Sequence, residues 1–174
     1  RSELGVSLAE LLPRALKRAR LLPLPHALLL CRRLVEVAKH LSAQRLTIPQ
    51  LSAEQVWLSY EGHLSLRGLS ELERVEGLEE REALWLKALV SLSFHIFCHK
   101  PRAQEREELE RAVERLKAPP ELKAWLLGEL TAPSLSLDTY HARLGALVEQ
   151  TGLDASEDLL GIYLQSLYQF ERLS

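Results

Sequence analysis

Apolar residues recur every three or four positions along most of the chain, a spacing that predicts helices joined by short breaks. The first run opens at Ser7-Leu8-Ala9-Glu10, where hydroxyl and carboxylate are spaced to satisfy orphan backbone N–H groups. A helix is therefore expected to about Arg20. Pro23 and Pro25 then punctuate the chain. From Pro25, suited to a first helical turn, Leu28, Cys31, Leu34, Val35, Ala38 and Leu41 fall on one face of a long, mostly buried helix.

After Gln44 the period changes. Val56-Trp57-Leu58, the turn Tyr60-Glu61-Gly62 and His63-Leu64-Ser65-Leu66 read as a short β-hairpin over about residues 55–66. Glu71 to Glu82 is acidic and contains Gly77, which predicts a loop leading into a helix. Glu82 to Cys98 is apolar nearly all round, as a central buried helix requires. A charged helix is expected over Gln104–Lys117, with a narrow stripe of Leu109, Val113 and Leu116. Pro119-Pro120-Glu121 starts another, to about Leu130, and Leu137–Gln150 forms the next. Asp154-Ala155-Ser156-Glu157 caps the last, which ends near Arg172. The expected fold is mainly α, with one hairpin and an extra C-terminal helix.

With 174 residues, 47% of them hydrophobic and 26% charged, the chain can bury one sizeable core. A net charge of −2 argues against a general nucleic-acid binder, because phosphate affinity rests on a surplus of Lys and Arg. Residues 1–45 nevertheless carry nine basic groups against three acidic ones, either a solvated face or a surface that steers a partner. Cys31 and Cys98 lie in apolar runs and read as reduced core residues, so a cytoplasmic protein is expected. No apolar stretch is long enough to cross a bilayer, and no signal-peptide order is present at the N-terminus. A start at Arg1 and the absence of methionine suggest an excised piece preceded by another segment.

Several segments, in order, resemble the C-lobe of bacterial Ser/Thr protein kinases. Gly5-Val6-Ser7-Leu8-Ala9-Glu10-Leu11-Leu12 resembles the end of the kinase hinge and the start of the next helix, and residues 25–45 resemble the long helix that follows. Thr47 to Leu58 aligns without a gap on the catalytic loop and the strand after it. Glu61 to Leu66 resembles the next hairpin, and Gly68-Leu69-Ser70 falls where Asp-Phe-Gly belongs. The helix ending at Lys100-Pro101 resembles the central C-lobe helix, and Pro120 to Leu144 the closing helices. The resemblance implies a C-lobe-like domain over residues 1–155, with residues 156–174 as a C-terminal helix packed on it.

The same resemblance implies lost chemistry. Phosphoryl transfer needs a carboxylate to orient the attacking hydroxyl and oxygen ligands to hold magnesium. Here the catalytic Asp corresponds to Gln50, the His and Arg before it to Ile48 and Pro49, and the loop Lys to Ser52. The metal-binding Asn corresponds to Gln55 and the Asp of Asp-Phe-Gly to Gly68. The activation segment is shortened, without Ala-Pro-Glu, and an apolar residue near Leu84 replaces the Asp expected early in the central helix. No catalytic, cofactor or metal site is therefore expected.

His95, Cys98 and His99, at i, i+3 and i+4, could present ligands to zinc, or serve the fold. Cys31 on an apolar face predicts an inert thiol. The acidic run Glu71, Glu73, Glu76, Glu79 and Glu80 lacks an EF-hand pattern. What remains is surface. Leu160, Tyr163, Leu164, Leu167, Tyr168 and Phe170 form a wide stripe on the last helix, either packed on its own domain or reserved for a partner. The expected function is a scaffold or regulator that binds another protein, a kinase or signalling component, or a second copy of itself. The alternative is a nucleotide-binding regulator or residual phosphotransferase that needs an N-lobe.

Overall fold

Helix α1 (Leu8–Lys17) starts where the capping spacing requires, with the Glu10 N–H donating to Ser7 Oγ at 3.2 Å. Its Leu8, Leu11, Leu12 and Ala15 are buried at helical spacing. These features belong to a computed structural model that describes residues 4–102 and 105–172, with side chains as far as Tyr168. Helix α2 (Leu24–Ala43) follows the two prolines and is buried along Leu28, Cys31, Leu34, Val35 and Ala38.

The expected hairpin is present as β3 (Val56–Ser59) and β4 (Leu64–Leu66). A third strand, β1 (Gly5–Ser7), pairs antiparallel with β3 to give the order β1-β3-β4. A second ladder joins β2 (Leu46–Thr47) to β5 (Glu73–Arg74). Both additions consist of two or three residues, too short to show the alternation that marks a strand in sequence.

Helix α3 (Leu78–Cys98) begins four residues before the expected start at Glu82. Glu79 and Glu80, read as loop, occupy its first turn, where acidic side chains complement the helix dipole. Trp85, Phe94 and Ile96 are buried, and Trp85 Nε1 donates to the Leu46 carbonyl at 2.9 Å. Helix α4 (Arg106–Glu114) is shorter than expected, and Gln104 lies outside the described residues. Helices α5 (Pro120–Thr131) and α6 (Leu137–Thr151) follow closely the expected bounds, and Gly152 ends α6 with a left-handed φ of 69°.

Helix α7 (Glu157–Arg172) is capped by Ser156, whose Oγ accepts from the Leu159 N–H at 3.2 Å, and not by Asp154. Asp154 turns instead to Arg32 on α2, 3.4 Å away. The core lies where α2 packs between α3 and α6. A buried polar link crosses it: Ser93 on α3 donates to the Leu89 carbonyl or shares a hydrogen with Tyr140 of α6, and Cys31 of α2 reaches Ser93 at 3.7 Å. Among the described residues, no helix is long and apolar enough to cross a membrane.

Candidate functional site

The β2–β5 ladder pairs Leu46 with Arg74 and Thr47 with Glu73, which closes the chain between them into a long loop. On it the turn 48–52 leads into a 3₁₀ turn (Ala53–Gln55), then β3. Ser52 and Gln55 cap that turn reciprocally, with the Ser52 N–H donating to Gln55 Oε1 at 2.9 Å. The Arg67 N–H donates to the Gln55 carbonyl at 2.7 Å, which carries the end of β4 alongside the turn. Gly68 follows with φ 74° and ψ 34°, left-handed backbone that favours glycine. A side-chain carbon at Gly68 would stand 3.3 Å from Gln55 Nε2, so these two positions are direct neighbours. Gln55 Nε2 also donates to Glu71 at 3.4 Å. Gln50 and Ser52 are exposed on the same loop.

These side chains are two primary amides, a hydroxyl and a glycine, none of which exchanges a proton near neutral pH. The amide of Gln55 is moreover committed at both ends, to Ser52 and to Glu71. Beside them Arg67 stacks on Trp57, its guanidinium carbon 3.8 Å from a ring centroid. Sequence reasoning missed that pair, although Trp57 sits opposite Ser65 in the hairpin and Arg67 lies two residues beyond. Gly5 lets the backbone pass the indole closely, since a side-chain carbon there would meet Trp57 Nε1 at 2.8 Å.

The histidine–cysteine spacing on α3 is put to structural use. The helix ends at Cys98, and His99 takes a left-handed φ of 59° that swings its ring off the helical spiral. Its Nε2 accepts from the Leu22 N–H at 2.9 Å. Burial depresses the His99 pKa, an effect opposed by a hydrogen bond to Phe97 and reinforced by His95. Burial raises the Cys98 thiol, and Lys100 opposes it. Among the described residues, no group of three His, Cys, Asp or Glu side chains is arranged to hold a metal ion. Burial pushes the Cys31 thiol up to about 12, which leaves it protonated and unreactive at neutral pH.

On α7, Leu160, Leu164 and Leu167 are wholly buried against the rest of this chain. Tyr163 is half-buried, and its hydroxyl donates to the Arg20 carbonyl at 2.7 Å. Tyr168 packs against Tyr60 with ring centroids 5.8 Å apart and lies under Arg14. Burial pushes the Tyr163 phenol up to about 12, with Arg20 opposing, and raises that of Tyr168 as well. The Phe170 side chain lies outside the described residues. The outward face of α7 instead shows Leu159 and Ile162. Arg20 donates to Ser166 at 2.7 Å, Gln165 to the Tyr60 carbonyl at 2.9 Å, and Glu157 pairs with Arg33 and His63. As far as Tyr168, the stripe singled out as a possible partner interface is thus packed against its own chain.

No family model and no curated protein matches the chain.

Proposed function

We propose that the chain is a non-catalytic module, like a protein-kinase C-lobe, that acts by binding another protein as a scaffold or regulator in cytoplasmic signalling. The observation that carries this reading is the chemistry of the loop that carries Gln50, Ser52, Gln55 and Gly68, the last three of them neighbours. On the kinase resemblance these positions should supply a general base and magnesium ligands. They hold amides, a hydroxyl and a bare backbone. The adjacency of Gln55 and Gly68 supports the correspondence, since the kinase residues at the matching positions share a metal and must lie side by side. Two free, buried or half-buried cysteines suit a reducing compartment.

A thermal-shift titration of the full chain with ATP, with and without magnesium, tests the reading. No shift is expected at about 1 mM nucleotide. A ligand present at a hundred times its Kd would add about 2.7 kcal/mol, which for a chain of this size raises Tm by roughly 5–10 °C. A magnesium-dependent rise of that order would overturn the proposal in favour of a nucleotide-binding regulator.

A further inference from the structure

Between the end of α3 and α4 lies a groove of about 410 Å³. Phe94 and Leu109, both buried, floor it together with the half-buried Cys98, and Leu16 of α1 is exposed at its edge. Four of the lining residues are cations, Lys100 and Arg102 just after α3 and Arg111 and Arg115 at the end of α4, against the single carboxylate of Glu108. Composition does not explain that surplus. The four glutamates of α4 outnumber its two arginines, yet only Glu108 among them lines the groove.

Arg111 and Arg115, one helical turn apart, share a side of α4. Arg111 is divided with Glu107 at 3.5 Å, whereas Lys100, Arg102 and Arg115 have no ion pair among the described residues. Arg102 instead holds its guanidinium carbon 5.9 Å from the Phe94 ring centroid. Lys100 lies close enough to Cys98 to oppose the rise of its thiol pKa. Unpaired positive charge therefore stands directly beside the apolar floor.

We infer that this groove binds an acidic peptide segment of a partner protein, with one large apolar side chain on the floor and flanking carboxylates against Lys100, Arg102, Arg111 and Arg115. The cations come from both boundaries of the groove, the chain after α3 and the end of α4, so an occupant that fills the floor meets positive charge from each. A simple anion would leave the apolar floor wet. A neutral peptide would cover unpaired cations without replacing their water. An apolar anchor between carboxylates answers both, with charge steering the encounter and selecting the partner while the buried contact supplies affinity. The inference rests on reading the chain as a protein-binding module, and names the chemistry of what it binds. None of Gln50, Ser52, Gln55 and Gly68 lines the groove, so the nucleotide titration and the test of the groove fail separately.

Cys98 reports on the groove from within, because the chain's other thiol, Cys31, is buried. Alkylation of Cys98 by iodoacetamide is measured on the full chain with three pools of amidated pentapeptides. The first pool has Leu, Phe or Trp between two pairs of Asp or Glu. The second has Ser in place of the apolar residue, and the third has Asn and Gln in place of the acids. At about 1 mM the first pool should slow alkylation roughly fivefold, as a Kd of about 0.25 mM requires, and the others less than about twofold. Titration calorimetry with the same pools gives the affinity without the thiol. Arg111→Glu together with Arg115→Glu, both at exposed positions, should abolish the protection, measured against that variant's own rate without peptide, and leave the far-UV spectrum unchanged. No binding of the first pool in either measurement would overturn the inference. So would equal binding of the Ser pool, which marks a plain anion site, or equal protection by phosphatidylserine vesicles, which marks a membrane surface. Protection that survives the double charge reversal would overturn it as well.

Discussion

His99 shows how one backbone angle decides what a side chain is for. The spacing of His95, Cys98 and His99 suits metal ligation only if the helix continues, and Pro101 is the sign that it does not, because the residue before a proline avoids helical geometry. With the helix ended at Cys98, His99 becomes an acceptor for Leu22 and holds the chain between α1 and α2 to the end of α3. That role requires the neutral ring. Burial depresses the pKa of His26, His95 and His99, so each releases its proton at lower pH in the folded chain than in the unfolded one. The stability these groups contribute is full above the unfolded value of about 6.5 and is lost as pH falls through the folded values. The urea midpoint is therefore expected to fall between about pH 7.5 and about pH 5.5. His99→Asn should shrink that fall, since asparagine tolerates positive φ and its amide oxygen can accept from Leu22. An equal fall in the variant would place the pH dependence elsewhere.

Among the elements, the helices were legible and the small strands were not. Periodicity located all seven α-helices of the described residues because each carries several turns of apolar spacing, whereas β1, β2 and β5 are fixed by pairing between distant segments that leaves no local trace. The seating of α7 was also invisible, although two glycines mark it. A side-chain carbon at Gly161 would stand 2.8 Å from the Glu61 carbonyl carbon, and one at Gly62 would overlap the Glu157 carbonyl. The backbone of α7 thus lies directly on the β3–β4 turn. Gly145 on α6 has nothing within 4 Å of the same position. Replacing a helical glycine by alanine ordinarily stabilises by about 0.5–1 kcal/mol. That gain is expected for Gly145→Ala, while Gly161→Ala should destabilise, because the obstruction is backbone that cannot rotate away. Opposite shifts in thermal melts of the two variants would show it, and a matching gain at Gly161 would mean that α7 sits less closely on the turn.

At the scale of the molecule, Leu160, Leu164 and Leu167 of the C-terminal stripe are spent on the chain's own fold. The stripe and its packing on the same domain were expected from sequence, but the residues it meets, Arg20, His26 and Tyr60, were not, since nothing local in the stripe names them. The candidate face was legible to a different degree. Motif order singled out Gln50, Ser52, Gln55 and Gly68, whereas Arg67 on Trp57 and the Glu129–Arg143 pair arise from tertiary approach and carry no spacing rule. The two faces of α7 make the distinction measurable. Leu164→Ala empties a fully buried position and should cost about 2–5 kcal/mol in urea unfolding. Ile162→Asp, on a residue 63% exposed, should change stability by less than about 0.5 kcal/mol. If α7 were instead a detachable arm held for a partner, Leu164→Ala would leave the midpoint nearly untouched. A large loss at Leu164 beside a neutral Ile162 makes α7 part of the domain.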